Sequence, residues 1–492
     1  MSLVGVSRPT RRRRLIVVVV VALVAAALAL SVVAQRPRPG PVLATVTVGS
    51  WAGPATIGVD EIAGRAYVAT HPGGPGGGGV VRVLDTATGA LVGTAALPGQ
   101  NGGGVAMAVD AQRGRAYVAN TGSTRCSAAG GGTQTCATTG VALVTLDART
   151  GRPRRTLSID AGRALTVDGR TGLLYALSSG TTTLLRVLDP RSGRMVRTIA
   201  LPGGGPGGGP GFGTLVIDGR GRYLVVARGS FGPSGGPRWS ADVVDVAQGR
   251  LLRHIPLPGT GFVALYHPPL LDEARGRAYV GLVSYGYGVG RVAVIDTRRA
   301  TLLRATATGA GFGDIAEDTR TGRVFTTALG GLRTVPTRTQ GGVTSTTQVP
   351  AGVGSLQVLD AGSGVLLRSV PIGVGTTDVA VDERRGRVYV LSIGAADAHG
   401  GLTRPGTLNV VDERSGQVVR TLAVGAVPLT LALDRRHDRL LVGCIGPFGG
   451  APEDPWSWVP GQVRRVLPFL PHPPTAIRTP QGSVLVLDTT RL

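Results

Sequence analysis

The stretch Asp110-Ala111-Gln112-Arg113-Gly114-Arg115-Ala116-Tyr117-Val118-Ala119-Asn120 sets the pattern for the whole chain and recurs, with variation, eight times. Its leading aspartates are Asp60, Asp110, Asp168, Asp218, Asp272, Asp318, Asp382 and Asp434. A second unit alternates with it, as in Val83-Leu84-Asp85-Thr86-Ala87-Thr88-Gly89, led by Asp85, Asp147, Asp189, Asp245, Asp296, Asp360, Asp412 and Asp488. In twelve of these sixteen places a glycine follows four residues after the aspartate; Asp218, Asp296, Asp434 and Asp488 are the exceptions. An aspartate side chain accepts backbone N–H groups just ahead of it and opens a turn. The glycine supplies the positive φ that closes a short hairpin.

On each side of every turn lie short runs of Val, Leu, Ala and Tyr bounded by Gly and Pro, which read as strands. Each period therefore holds four antiparallel strands, and it spans 46 to 64 residues. That combination selects an all-β closed β-propeller of four-stranded blades over a helical array. The count gives eight blades, with seven as the alternative if one degenerate period is absorbed as an insertion. Ser483-Val484-Leu485-Val486-Leu487-Asp488 opens a unit that stops before its partner strand, and Val42 to Gly49 reads as that missing partner. Pairing the two removes the open sheet edge.

Before the ring, residues 1–14 form a short basic segment ending in Arg11-Arg12-Arg13-Arg14. Leu15 to Ala34 are twenty apolar or small residues without charge, about the number a helix needs to cross a bilayer. The arginines ahead favour a cytoplasmic N-terminus and an extracytoplasmic propeller. A cleaved signal peptide ending at Val32-Val33-Ala34 is the competing reading, although signal peptides have shorter apolar stretches. Residues 35–41 are a Pro-rich linker, extended and semi-rigid, with a reach of about 20 Å. The ring is expected over 42–492, with an insertion at 445–481 in the last blade.

The chain has no lysine, so all 52 basic residues are arginine. Seven precede residue 40 and no acid does, so 45 arginines against 29 acids leave +16 on the remainder. A field of that sign attracts nucleic acid, cell-wall polymers or phospholipid headgroups. Many of these arginines belong to the turns and are expected to pair there with aspartates and glutamates. Cys126 and Cys136 flank one loop and read as a disulfide in an exported protein; Cys444 reads as a small apolar core residue.

Consecutive connections alternate between the two faces of a propeller, so every Asp turn lies on one face and the connections of variable length lie on the other. Function commonly sits on such loops. His71, His267 and His399 are candidates to converge there, and Trp239, Tyr285 and Tyr287 for an aromatic patch. Asp314 and Asp378 precede inner strands and are candidates for the central channel. Trp456 and Trp458 make the 445–481 insertion a candidate lid, docking segment or structural strap. No histidine pair has metal-ligand spacing, no Walker lysine exists, and the match of Gly232 to Gly236 to a nucleophile elbow lacks the strand-to-helix context. No catalytic, cofactor or metal residue is assigned.

The units Gly114-Arg115-Ala116-Tyr117-Val118-Ala119-Asn120 and Gly386-Arg387-Val388-Tyr389-Val390, with the intervening Val-Leu-Asp-Thr-Ala-Thr-Gly type, resemble the YVTN family of β-propeller repeats (YncE-like, within the WD40/YVTN-like superfamily) over about residues 42–492. The resemblance implies an exported or cell-surface protein serving as a binding or adhesion module, and no catalytic residue. Phe325-Thr326 and Leu440-Leu441-Val442 depart from the Tyr-Val pattern. The leading expectation is a membrane-tethered, non-catalytic binding module for an unknown protein, glycan or polyanion. The alternatives are a lactonase-like hydrolase with a metal at the channel mouth and a dedicated polyanion binder.

Overall fold

The computed structural model describes residues 40–48, 54–70, 79–98, 105–120, 123–129, 133–139, 141–159, 164–178, 183–202, 212–220, 222–231, 237–259, 261–263, 268–284, 288–337, 345–396, 403–446 and 482–492. Val42–Leu492 forms one compact unit, distinct from Met1–Pro41. Among the described residues no helix is long and apolar enough to cross a membrane. The apolar stretch 15–34 lies outside them.

Eight antiparallel sheets of the repeat follow one another along the chain. Blade 1 comprises Pro54–Asp60, Arg65–Thr70, Val80–Asp85 and Leu91–Ala96; blade 2 comprises Val105–Asp110, Arg115–Asn120, Ala142–Asp147 and Pro153–Ser158. Blade 3 is Ala164–Val167, Leu174–Leu177, Thr183–Leu188 and Met195–Leu201; blade 4 is Phe212–Ile217, Tyr223–Phe231, Pro237–Asp245 and Arg250–Leu257. Blade 5 splits its inner strand into Gly261–Val263 and Leu270–Asp272, then adds Arg277–Ser284, Val289–Asp296 and Thr301–Ala310. Blade 6 is Ile315–Asp318, Arg323–Ala328, Val353–Asp360 and Leu366–Val374; blade 7 is Thr376–Asp382, Arg387–Ser392, Gly406–Asp412 and Val418–Gly425. Blade 8 is built from both ends of the ring: Pro428–Asp434, Arg439–Cys444, Ser483–Asp488 and, as its outer strand, Val42–Thr47. Val42 pairs with Leu487 and Thr47 with Ser483. The count is therefore eight, and the two ends share a sheet as the truncated last unit requires.

The turn chemistry explains the regularity. Asp60 accepts from the N–H groups of Ile62 and Ala63 at 3.0 and 2.9 Å, Asp412 from Ser415 at 2.9 Å, and Asp382 from Arg384 at 3.1 Å. All twelve glycines four residues after an aspartate have positive φ. Where the glycine is missing after Asp296 and Asp434, Ala300 (φ 51°) and Asp438 (φ 58°) adopt the same conformation, so these two turns impose their geometry on the residue that stands there.

The core lies between blades. Second and third strands are covered on both faces by neighbours, so they read as nearly continuous apolar runs. Tyr67, Tyr117, Tyr279 and Tyr389 of the recurring unit are wholly buried. The Tyr279 hydroxyl donates to the Ala361 carbonyl in the next blade at 2.5 Å, so this tyrosine fills the gap beneath the neighbouring turn. Phe325 takes its place in blade 6. Cys444 is buried with Leu440 and Leu485, as its apolar setting in the sequence indicates.

Arginines staple blade to blade and turn to turn. Arg65–Asp85 (2.6 Å), Arg277–Asp296 (2.8 Å), Arg387–Asp412 and Arg439–Asp488 (3.7 Å) link the two turns within one blade. On the outer strands Arg155, Arg368 and Arg420 donate to carbonyls of the next blade's outer turn: Arg155 to Arg191 and Ser192, Arg368 to Ser415, Arg420 to Arg491. Gly249 leaves the space occupied by Arg197, whose guanidinium would collide with a Cβ there. Much of the positive charge thus serves assembly. It also guards the exposed edge of each blade against pairing with another chain.

Candidate functional site

The Asp turns make one face of the ring uniform. The opposite face carries the connections of variable length, and two of these are β-hairpins of their own. Ser123–Ala129 pairs with Thr133–Thr139 in blade 2, and Leu332–Thr337 pairs with Ser345–Pro350 in blade 6. In a ring of eight, blades 2 and 6 are diametrically opposed. Both hairpins join the second and third strands of their blades, so they rise from the same face. In the blade 6 hairpin Val335 and Val349 are buried, and Arg333 donates to the Ala396 carbonyl of blade 7 at 3.0 Å. Pro350 lies against Gly375. That hairpin therefore leans on the neighbouring blade.

Of the residues singled out from the sequence, His71, His267, His399, Tyr285, Tyr287, Trp456 and Trp458 lie outside the described residues. Trp239 is only 4% exposed and packs with Val225, Ala241, Ile255 and Val280 between blades 4 and 5. This removes it from an aromatic surface patch. The indole lies on the inward side of its strand, where the neighbouring blade covers it. The register sets Cys126 directly opposite Cys136 in the blade 2 hairpin.

Asp314 and Asp378 do come together. Asp378, 2% exposed, accepts from its own blade at the Val379 N–H (2.7 Å) and from blade 8 at the Leu431 N–H (2.6 Å). Burial, and then the Asp314 carboxylate hydrogen-bonded to it, push its pKa well above the usual carboxylate range. Asp378 is thus turned into a junction between blades, where it bonds to protein groups. Asp314 is half-buried on blade 6, with its N–H donating to Thr327 Oγ1 at 2.9 Å. Among the described residues no group of three or more His, Cys, Asp or Glu side chains is placed to hold a metal ion.

A second buried polar constellation sits in blade 4. Arg228 Nε donates to Asp242 Oδ2 at 2.5 Å and its Nη2 donates to the Pro202 carbonyl of blade 3. His254 Nδ1 lies 2.6 Å from Asp242 Oδ1. Arg228 and Asp242 are almost fully buried, so this is an ion pair that fastens blade 3 to blade 4. Asp242, Gln357 and Asn409 all stand three residues before the second aspartate of their blades. Asn409 and Gln357 make side-chain hydrogen bonds there, to Thr407 at 3.1 Å and to Ser369 at 2.9 Å.

The residues that sequence reasoning missed are Glu317 and Glu413. Glu317 is 7% exposed. Burial, and then the neighbouring Asp272, push its pKa up to about 8. Its signal was present in Asp314-Ile315-Ala316-Glu317-Asp318, three acids within five residues of an inner strand.

No protein-family model and no curated protein matches the chain. Solved structures do. The Dos1 propeller superposes with a TM-score of 0.55 over 83% of this chain and 93% of that one, at 10% identity. The computationally designed Ika8 protein gives 0.51 over 82% and 97% at 15% identity. The dihydro-heme d1 dehydrogenase NirN gives 0.51 over 79% and 75% at 14% identity. At such identities the likeness shows fold alone. With the eight sheets and the shared last blade, it places the chain in the class of eight-bladed β-propellers.

Proposed function

We propose that the protein is a membrane-tethered, extracytoplasmic binding module of the YVTN-repeat type, acting without catalysis through its variable face. The observation that carries this reading is the asymmetry of the ring. One face is locked by fifteen Asp-led hairpin turns, whereas the other bears long connections, including two opposed hairpins. A rigid frame presenting divergent loops suits recognition of a partner. The +16 excess of arginine outside the first 39 residues favours partners of negative charge, such as anionic cell-wall polymers. Stretch 15–34 is the proposed anchor, with residues 1–14 cytoplasmic. In the oxidising space outside the membrane, the facing Cys126 and Cys136 suit a disulfide.

The test is direct. The ring, beginning at Gly40, is titrated with an anionic wall polymer and with a neutral glycan. The same titration is run on a variant whose 332–350 hairpin is replaced by a Gly-Gly turn. Binding that weakens in the hairpin variant and falls with salt supports the reading. Equal binding by both chains, or stoichiometric metal with hydrolysis of a lactone, overturns it. Carbonate extraction of membranes from expressing cells tests the anchor: a tethered chain stays in the pellet, and a cleaved one starts near Gln35 and is released.

A further inference from the structure

Blade 6 meets its neighbours through carboxyl groups on both sides. On the blade 5 side, Arg275 Nη1 lies 2.9 Å from Asp272 Oδ2 and 3.5 Å from Glu317 Oε1, and the Asp272 and Glu317 side chains are hydrogen-bonded to each other. On the blade 7 side, Arg320 Nη2 lies 3.2 Å from Asp318 Oδ2 and 3.5 Å from Glu413 Oε2. Thr321 Oγ1 donates to Glu413 Oε1 at 2.6 Å, and Asp318 and Glu413 are hydrogen-bonded. Also on that side, Asp314 is hydrogen-bonded to Asp378. Three acids of the segment 314–318, the inner strand and the residue before it, are each paired with an acid of an adjacent blade.

Ionised carboxylates only accept hydrogen bonds, so a bond between two of them requires a proton on one. We propose that blade 6 is a pH-sensitive segment of the ring: protons shared across these three carboxyl pairs hold it between blades 5 and 7, and their loss as pH rises loosens it together with the paired strands Leu332–Thr337 and Ser345–Pro350.

The surroundings decide which pairs release first. Around Glu317 stand Asp272 and Arg275 of blade 5 and Glu383 of blade 7. Around Glu413 stand Asp318, Arg320 and Thr321 of blade 6, and Arg323 donates to its main-chain carbonyl at 3.0 Å. Asp378 faces Asp314 of blade 6 and the Leu431 N–H of blade 8. Each outer pair includes an arginine that steadies the ionised partner. Burial raises Glu413, against the hydrogen bond from Thr321, and Asp318 raises it further.

Glu317, Glu413 and Asp378 are held above the ordinary carboxylate range, whereas Asp272 and Asp318, the ionised partners, are held below it. The shared protons therefore contribute stability that is fully present below the unfolded value of 4.5 for Glu317 and is lost as pH rises through about 8. Asp85, Asp147, Asp189, Asp296, Asp360 and Asp412, held below the usual carboxylate range by their turn hydrogen bonds and arginines, run the opposite way, so a global melting curve blends both effects. The readout must be local.

Amide hydrogen exchange on the chain beginning at Gly40, which keeps every strand of the ring, is compared at roughly pH 6 and roughly pH 9 after correction for intrinsic rates. Protection of 315–328 and 345–382 is expected to fall relative to blade 3. Glu317→Gln keeps a hydrogen-bond donor without the titration, and should hold exchange in 315–328 about tenfold slower than wild type at the higher pH. Asp378→Asn should do the same for 376–382, independently of the first variant. A uniform loss of protection in all blades, or an unchanged pH response in both variants, overturns the proposal.

Discussion

Ala300 and Asp438 stand at the turn position that glycine occupies in twelve other turns of the ring, and both are held at positive φ. An L-residue in that region costs about 1–2 kcal/mol. Ala300→Gly is therefore expected to stabilise the ring by about 1 kcal/mol in urea unfolding. Asp438 gives a smaller return, because it also pairs with Arg385 at 2.9 Å. The reverse change at Gly249 combines the φ cost with a collision against Arg197 and should destabilise by more than Ala300→Gly gains. Asp242 behaves differently again. Asp242→Ala strands the buried Arg228 guanidinium and is expected to cost about 3–5 kcal/mol, against a much smaller loss for the paired change Arg228→Met with Asp242→Leu. Chemical denaturation of the two variants separates these outcomes.

At the scale of elements, the hairpins of blades 2 and 6 differ in setting. The blade 6 hairpin buries two valines and bonds to blade 7. In the blade 2 hairpin the backbone register sets two cysteines face to face. Directly opposed residues of an antiparallel pair approach within about 4.5–5.5 Å between Cα atoms, which a disulfide can bridge. Titration of the oxidised, denatured chain is expected to find one reactive thiol, Cys444; three would leave Cys126 and Cys136 unbridged. The inner turns add another linkage. Glu61 and Glu273, each following a leading aspartate, accept main-chain N–H groups from the preceding blade at Arg435 (3.3 Å) and Gly219 (2.5 Å). Charged side chains thus do between blades what backbone bonding does within them.

For the whole molecule, closure is the decisive event. Val42–Thr47 covers an edge that would otherwise be open along Ser483–Asp488. A further seam closes at the same place, where Thr86 Oγ1 of blade 1 donates to Asp434 Oδ2 of blade 8 at 2.6 Å. Deleting residues 42–48 is expected to expose that edge and to yield dimers and larger species by size-exclusion chromatography with light scattering. A monomer as stable as the intact ring would show that closure contributes little.

How far the sequence could be read follows from what each interaction depends on. The spacing of aspartate and glycine is local chemistry, and so the turns, the strands between them and the eightfold count were legible without coordinates. The truncated last unit even disclosed which termini pair. Trp239 was misjudged because its position near a variable loop said nothing of which side of the strand the neighbouring blade would cover. Asp314 and Asp378 are 64 residues apart, and the meaning of their pairing depends on the narrowing of blades toward the axis. Glu317, Asp318 and Glu413 likewise became a set only when blades 5, 6 and 7 were set side by side. By itself the sequence determined the repeat, because turns and strands are written in residues a few places apart. Only the tertiary structure decided which carboxyls share a proton and which arginines are staples, because burial and proximity across blades are properties of the closed ring and of no single segment.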